Sequence, residues 1–196
     1  MNKTIKYKIK FFSDWHCGSG LSSGADLDLL VIKDKDRLPF IPGKTIKGLV
    51  REAIEEIAIL RNQDIHSGDI INVFGKKNGE SQGCAFFKNA VLDVSLQKAI
   101  TGNKLQDYLY RSLSSTAIDN EGIAKEHSLR KMEVCVPCKL TGEILIYDVH
   151  KLNDKDFVDK QIKEGLKFIK RLGQNRNRGL GRCEISQIII EEGGSK

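Results

Sequence analysis

The sequence predicts an α+β fold in which an antiparallel sheet carries helices on one of its faces, as a single domain over residues 1–196. Three observations lead there: a run with period two at the N-terminus, a helical stripe directly after Pro42, and a second helical stripe followed by a last extended run near the C-terminus. Hydrophobic residues make up 40% of the chain and charged residues 30%, which supplies a core and excludes a disordered tail. No apolar run is long enough for a spanning helix, which needs about 20 residues, or for a secretory h-region of about 7 to 15. The net charge of +6 favours a polyanionic partner.

The elements follow in order. Ile5, Tyr7, Ile9 and Phe11 alternate with Lys6, Lys8 and Lys10, the pattern of a half-exposed strand with a basic outer face. A glycine-rich loop over 17–24 leads to an extended stretch at 27–32 and a charged turn at 34–37. Ile46, Leu49, Val50, Ala53, Ile57 and Leu60 share a helical face, predicting a helix over 44–61. Residues 83–94 read as a strand, 105–113 as a short helix, and 114–127 as a polar excursion too long for a plain connection. Two extended runs at 129–136 and 143–149 are expected to pair across Thr141-Gly142. Asp154 can cap a helix whose Val158, Ile162, Leu166, Ile169 and Leu172 share a face, Gly173 stands where such a helix would end, and 183–190 is the last strand. This order is close to the βαββαβ ferredoxin-like (RRM-like) unit, which leaves one sheet face free.

Four stretches carry chemistry. Between the last helix and the last strand runs Leu172-Gly-Gln-Asn-Arg-Asn-Arg-Gly-Leu-Gly-Arg182. Four of the nine arginines (Arg171, Arg176, Arg178 and Arg182) fall here with no acid among them, and Gly173, Gly179 and Gly181 allow close backbone approach. A nucleic-acid backbone fits this loop, and a solvated turn at a helix end is the alternative. At the first helix start, Lys44, Lys47 and Arg51 form a cationic stripe beside free N–H groups, open to anion binding or to plain solvation. The Gly-Lys-Thr there is no nucleotide loop, because the GxxxxGK[ST] pattern needs glycine where the chain has Leu38.

The third stretch, Asp14-Trp-His-Cys-Gly-Ser-Gly with Asp26 and Asp28 following, offers an imidazole and carboxylates for acid-base work or for a metal on a phosphodiester. Equally, His16 can be a turn residue and the two aspartates loop and strand-edge residues. The fourth is a lone Cys135-Val-Pro-Cys138. Structural zinc announces itself as two paired half-sites, so these are expected to be strand thiols without zinc, although Cys84, Cys183 and His127 could complete a site. Five cysteines, an odd number, with no secretory signal fit a reduced cytoplasmic setting.

Together these pieces resemble the RAMP superfamily of CRISPR-associated proteins, in particular the repeated backbone subunit of type III interference complexes. Three segments carry the resemblance: Gly24-Ala-Asp-Leu-Asp28 through Leu38-Pro-Phe-Ile-Pro-Gly-Lys-Thr-Ile-Lys-Gly48, Thr116-Ala-Ile-Asp-Asn-Glu-Gly-Ile-Ala-Lys-Glu126 with Leu129 and Glu133, and the loop from Gly173 to Gly181. The resemblance implies a ferredoxin-like palm with an inserted thumb-like hairpin at about 114–127, whose Lys125 would meet RNA. It further implies an antiviral RNA-binding subunit with CRISPR RNA, target RNA, other copies of itself and other effector subunits as partners, and endoribonuclease activity on the target. The catalytic aspartate of cutting subunits maps most naturally to Asp28, ahead of Val31-Ile-Lys-Asp34, with Asp26 as competitor and Mg2+ or Mn2+ as the ion. Lys44-Thr45 and Trp15-His16-Cys17 depart from the usual pattern. Two other readings stand beside it: a guide-binding subunit without cleavage, and a metal-independent guide-processing nuclease using His16 as general base.

Overall fold

The alternation at the N-terminus becomes the centre of a sheet. In a computed structural model, which describes residues 2–20, 28–62, 67–76, 80–154 and 156–193, β1 (Asn2–Phe11) buries Ile5, Tyr7, Ile9 and Phe11 and leaves Lys6, Lys8 and Lys10 exposed. The chain continues through α1 (Gly43–Arg61), α2 (Ser67–Phe74), β2 (Ala85–Phe87), β3 (Val91–Leu92), α3 (Val94–Gly102), β4 (Tyr110–Ser115), β5 (Arg130–Cys135), β6 (Lys139–Ile146), α4 (Lys163–Phe168) and β7 (Cys183–Gly193). The main sheet runs β2-β6-β1-β7, with β3 extending the β2 edge along β6, and every pairing in it is antiparallel. That is the strand order of the ferredoxin-like unit, reached by two crossovers that place α1 and α4 side by side over the apolar face.

Each principal element has a local cause. α1 starts after Pro42, whose fixed φ suits a helix entrance, and its first N–H is capped by Asn89 Oδ1 at 2.9 Å. It ends on Asn62 in the left-handed region. α4 is entered through a π-helical stretch at Phe157–Ile162, and the two helices close on each other at Gly165, where a Cβ would come within 2.8 Å of Ile54. Val158, Ile162, Leu166, Ile169 and Leu172 are all buried as the stripe predicts.

Several expectations change. Thr141-Gly142 is no turn: β6 runs straight through it, pairing Gly142 with Tyr7, whose ring a Cβ at 142 would meet at 2.3 Å. The run expected to pair with it, β5, pairs with β4 in a separate two-stranded sheet. Of the helix expected at 105–113 only a 3-10 turn at Gln106–Leu109 forms, and the longer helix here is the earlier α3, where Asp93 Oδ1 accepts the Ser95 N–H at 3.0 Å as an N-cap. Residues 110–115 are instead one arm of the inserted hairpin, so its arms reach beyond the expected 114–127. On α1 the core face turns from the expected stripe: Ala58 is buried while Leu60 is 71% exposed. The helix before the arginine loop ends at Phe168, so Gly173 is no helix cap.

Candidate nucleic-acid interface

Three segments far apart in sequence meet at one end of the sheet. The segment following β1 joins the hairpin base, with Trp15 and Cys135 exchanging N–H···O bonds of 3.0 and 2.8 Å. It also joins the arginine loop: the Gly181 N–H donates to the Asp14 carbonyl at 2.7 Å and the Gln174 N–H to the His16 carbonyl at 2.8 Å. Two glycines make this approach possible. Gly173 (φ 97°) lies where a Cβ would stand 2.3 Å from the His16 carbonyl oxygen, and Gly181 (φ 70°) where it would stand 1.9 Å from that of Leu172. Gly179 (φ 89°) faces open space.

So held, the loop presents a turn at Arg176–Arg178 with both guanidiniums exposed. Arg171 ties back to the Arg176 carbonyl, and Arg182, also exposed, has its N–H on Ser13 Oγ at 3.0 Å. None of these four arginines forms an ion pair among the described residues, so their charge is available to an anion.

The cationic stripe on α1 splits. Lys44 is exposed. Lys47 is half-buried in a groove of about 730 Å³ reaching to Phe74, where burial and the nearby Arg51 hold its amine below the usual lysine range. Arg51 does not fit the expected open stripe, because its guanidinium donates to Glu55 at 3.0 Å and to the Gly75 carbonyl at 2.9 Å. Cys17 packs against this helix start; burial pushes its thiol up, while Thr45 and Lys44 act in the other direction.

Asp28 stands beside β5. Its backbone N–H donates to the Lys131 carbonyl at 2.9 Å, its Oδ2 accepts the Lys131 N–H at 2.8 Å, and the residue is exposed. One residue along β5, Met132 contacts Asn175 of the arginine loop, the Nδ2 to Sδ distance being 3.3 Å. The carboxylate and the arginine loop thus reach neighbouring positions of β5. Glu133, buried, fixes this segment by accepting the Val31 N–H at 3.0 Å and the Lys33 ammonium at 2.7 Å. The resemblance singled out Glu133, but its partners could not be read from the sequence, since they lie about 100 residues away. Asp14 is similarly committed, receiving Arg111 Nε and Nη2 at 2.6 and 2.5 Å. Asp26 lies outside the described residues.

His16 contradicts its expected role as a general base. It is fully buried, and its Nδ1 lies 2.6 Å from the Glu133 carbonyl oxygen, which can only accept, so Nδ1 carries the proton. Its Nε2 is buried and takes no hydrogen bond among the described residues. Lys125 is exposed on the hairpin tip, where its N–H donates to the Ala117 carbonyl at 2.9 Å. Ile118, Ile123 and Leu129 are exposed on the same tip.

Cys135 and Cys138 share a hydrogen bond that, with burial, pushes the Cys135 thiol up. Cys183 begins β7 and Cys84 and His127 lie in connecting segments, and among the described residues no three His, Cys, Asp or Glu side chains gather as a metal cluster. No helix is long and apolar enough to cross a membrane among the described residues.

Known structures share this fold. A chain of the type III-B Cmr-beta complex bound to cognate target RNA superposes with a TM-score of 0.69 at 13% identity, over 93% of this chain and 96% of that one. A chain of the apo Cmr-beta complex gives 0.66 at 14%, with the same coverage. No curated protein matches the chain. The model of the RAMP superfamily matches residues 8–184, so the chain belongs to the RAMP superfamily.

Proposed function

We propose that this protein is an RNA-binding subunit of a type III-like CRISPR effector complex and that it cleaves the target RNA held on its guide. The observation that carries this is the convergence of an acid-free arginine turn and an exposed aspartate on neighbouring positions of β5, Met132 and Lys131. Arg176, Arg178 and Arg182 neutralise guide phosphates without reading bases, with Lys44, Lys47 and Lys125 as further contacts. The exposed hairpin tip suits insertion between nucleotides, and the fold shared with Cmr-beta subunits supports other copies and other effector subunits as partners. A cytoplasmic setting belongs to the same reading.

In cleavage, a 2′-hydroxyl of the target gives its proton to water and attacks the adjacent phosphate in line, the P–O5′ bond breaks, and a 2′,3′-cyclic phosphate and a 5′-hydroxyl that takes a proton from water are left; the protein's part is chiefly to position the reacting groups. Asp28 Oδ2 is pinned by the Lys131 N–H, and Oδ1 takes no hydrogen bond from a described residue. That suits one protein ligand for Mg2+ or Mn2+, ions that keep several waters and draw further ligands from phosphates. Such an ion supplies charge screening and polarises the scissile oxygens. The Lys131 bond equally suits a structural pin, which keeps a binding-only subunit as the second reading.

The phosphate grip is tested by salt titration. Replacing Arg176 and Arg178 by Ala should weaken RNA binding regardless of sequence and lower the salt slope by about one to two units; an unchanged slope would make the loop a scaffold only. The proposal includes no structural zinc, since Cys135 and Cys138 are paired with each other. Metal analysis of the purified protein should find far less than one zinc per chain, and a stoichiometric amount would recast the pair as half a site.

A further inference from the structure

The open sheet face carries a feature that the phosphate grip does not use. Phe12 directly follows β1, and its ring is 41% exposed. Two cations flank it, Lys10 Nζ at 4.8 Å from the ring centroid and the Arg182 guanidinium at 5.3 Å. Its neighbour Phe11 turns inward and stacks on Trp15 at 4.7 Å, whereas no described aromatic ring stacks on Phe12. A ring held outward among cations adds nothing to the core.

Charge is unevenly spread over this face. Farther along β1, Lys6 is paired with Glu191 at 2.8 Å, and at the β2 edge Lys88 is paired with Glu143 at 2.8 Å. At the Phe12 end, Lys8, Lys10, Lys139 and Arg182 are exposed, against Glu184 and Asp93. The end is also continuous with the arginine loop: the Phe12 N–H donates to the Arg182 carbonyl at 2.8 Å, and the Arg182 N–H donates to Ser13.

We infer that Phe12 is a stacking platform for one base of single-stranded RNA, with Lys10 and Arg182 receiving the phosphates on either side of it. Every base has a π-face, so such a platform binds without sequence preference, and open sheets of this topology use outward aromatics in this way. The contacts of Lys10 and Arg182 to the ring are weak exposed ones, readily exchanged for a base on the ring and phosphates on the cations. The inference rests on the RNA-binding reading above and adds a second type of contact to it.

The test uses the full chain and a single-stranded RNA oligonucleotide carrying 2-aminopurine, whose fluorescence is quenched by stacking. Wild type and Phe12→Tyr should quench the probe on binding. Phe12→Ala and Phe12→Leu should lose the quench and bind about tenfold more weakly, while keeping the wild-type salt slope. Binding and quench unchanged in Phe12→Ala would overturn the platform and leave the arginine grip intact. A wild-type chain that binds no RNA at all, alone or in its complex, would remove the RNA-binding reading itself.

Discussion

Asp28→Asn should leave guide and target binding within a few fold while cutting of the target RNA falls by about a hundredfold or more, the scale of losing a positioned catalytic group. The substitution is conservative where it needs to be. Asparagine keeps an oxygen in the place of Oδ2 to accept the Lys131 N–H, so the strand edge beside β5 stays pinned. Only the negative charge is lost. Asp26→Asn should have the smaller effect. His16→Ala should act through stability, since it removes a fully buried side chain and strands the Glu133 carbonyl. Cleavage assays with binding controls decide between these, and full activity in Asp28→Asn would remove that residue from the mechanism.

Gly181→Ala should be the most damaging change in the arginine loop. The added Cβ would stand 1.9 Å from the Leu172 carbonyl oxygen, at φ 70°. That carbonyl lies where the loop closes, with the Leu172 N–H donating to the Gly181 carbonyl at 2.9 Å, so the ends must separate. Left-handed strain costs about 1–3 kcal/mol by itself, and the backbone clash adds at least as much again. A loss of at least about 2 kcal/mol corresponds to a fall in Tm of at least roughly 4–8 °C for a chain of this size. Gly179→Ala is the control. It has a similar φ of 89° but open space around it, so strain acts alone and the fall in Tm should be at most about half that of Gly181→Ala. Equal losses in thermal denaturation would show that the contact with Leu172 is not what holds the loop.

The palm was legible because its elements bury one face each. β1 shows its alternation, and the stripe from Val158 to Leu172 shows its helical period even though the helix is shorter than the stripe. β4 was not legible, for it is exposed on both sides: Arg111, Ser112, Ser114 and Ser115 carry no hydrophobic period, and the strand exists by pairing with β5. Gly142 misled for a related reason, since a glycine read as a turn is in fact the space left for Tyr7 across the sheet. The candidate site was half legible. Arg176 and Arg178 stand in the open turn their glycines suggested, whereas Arg51 is satisfied by Glu55 and Gly75, and His16 disappears into the core beside Trp15. No local pattern could bring Asp28 to Lys131, because that contact spans 103 residues.

The most direct measurement is to assemble the protein with its guide RNA and partner subunits, add a matched target RNA, and map the cuts with and without a chelator. Cuts should fall at regular intervals, one for each copy of this subunit, disappear on chelation and return with Mg2+. Cuts that persist in chelator would contradict a metal-assisted site at Asp28, and an intact target held tightly on the guide would make this a binding subunit alone.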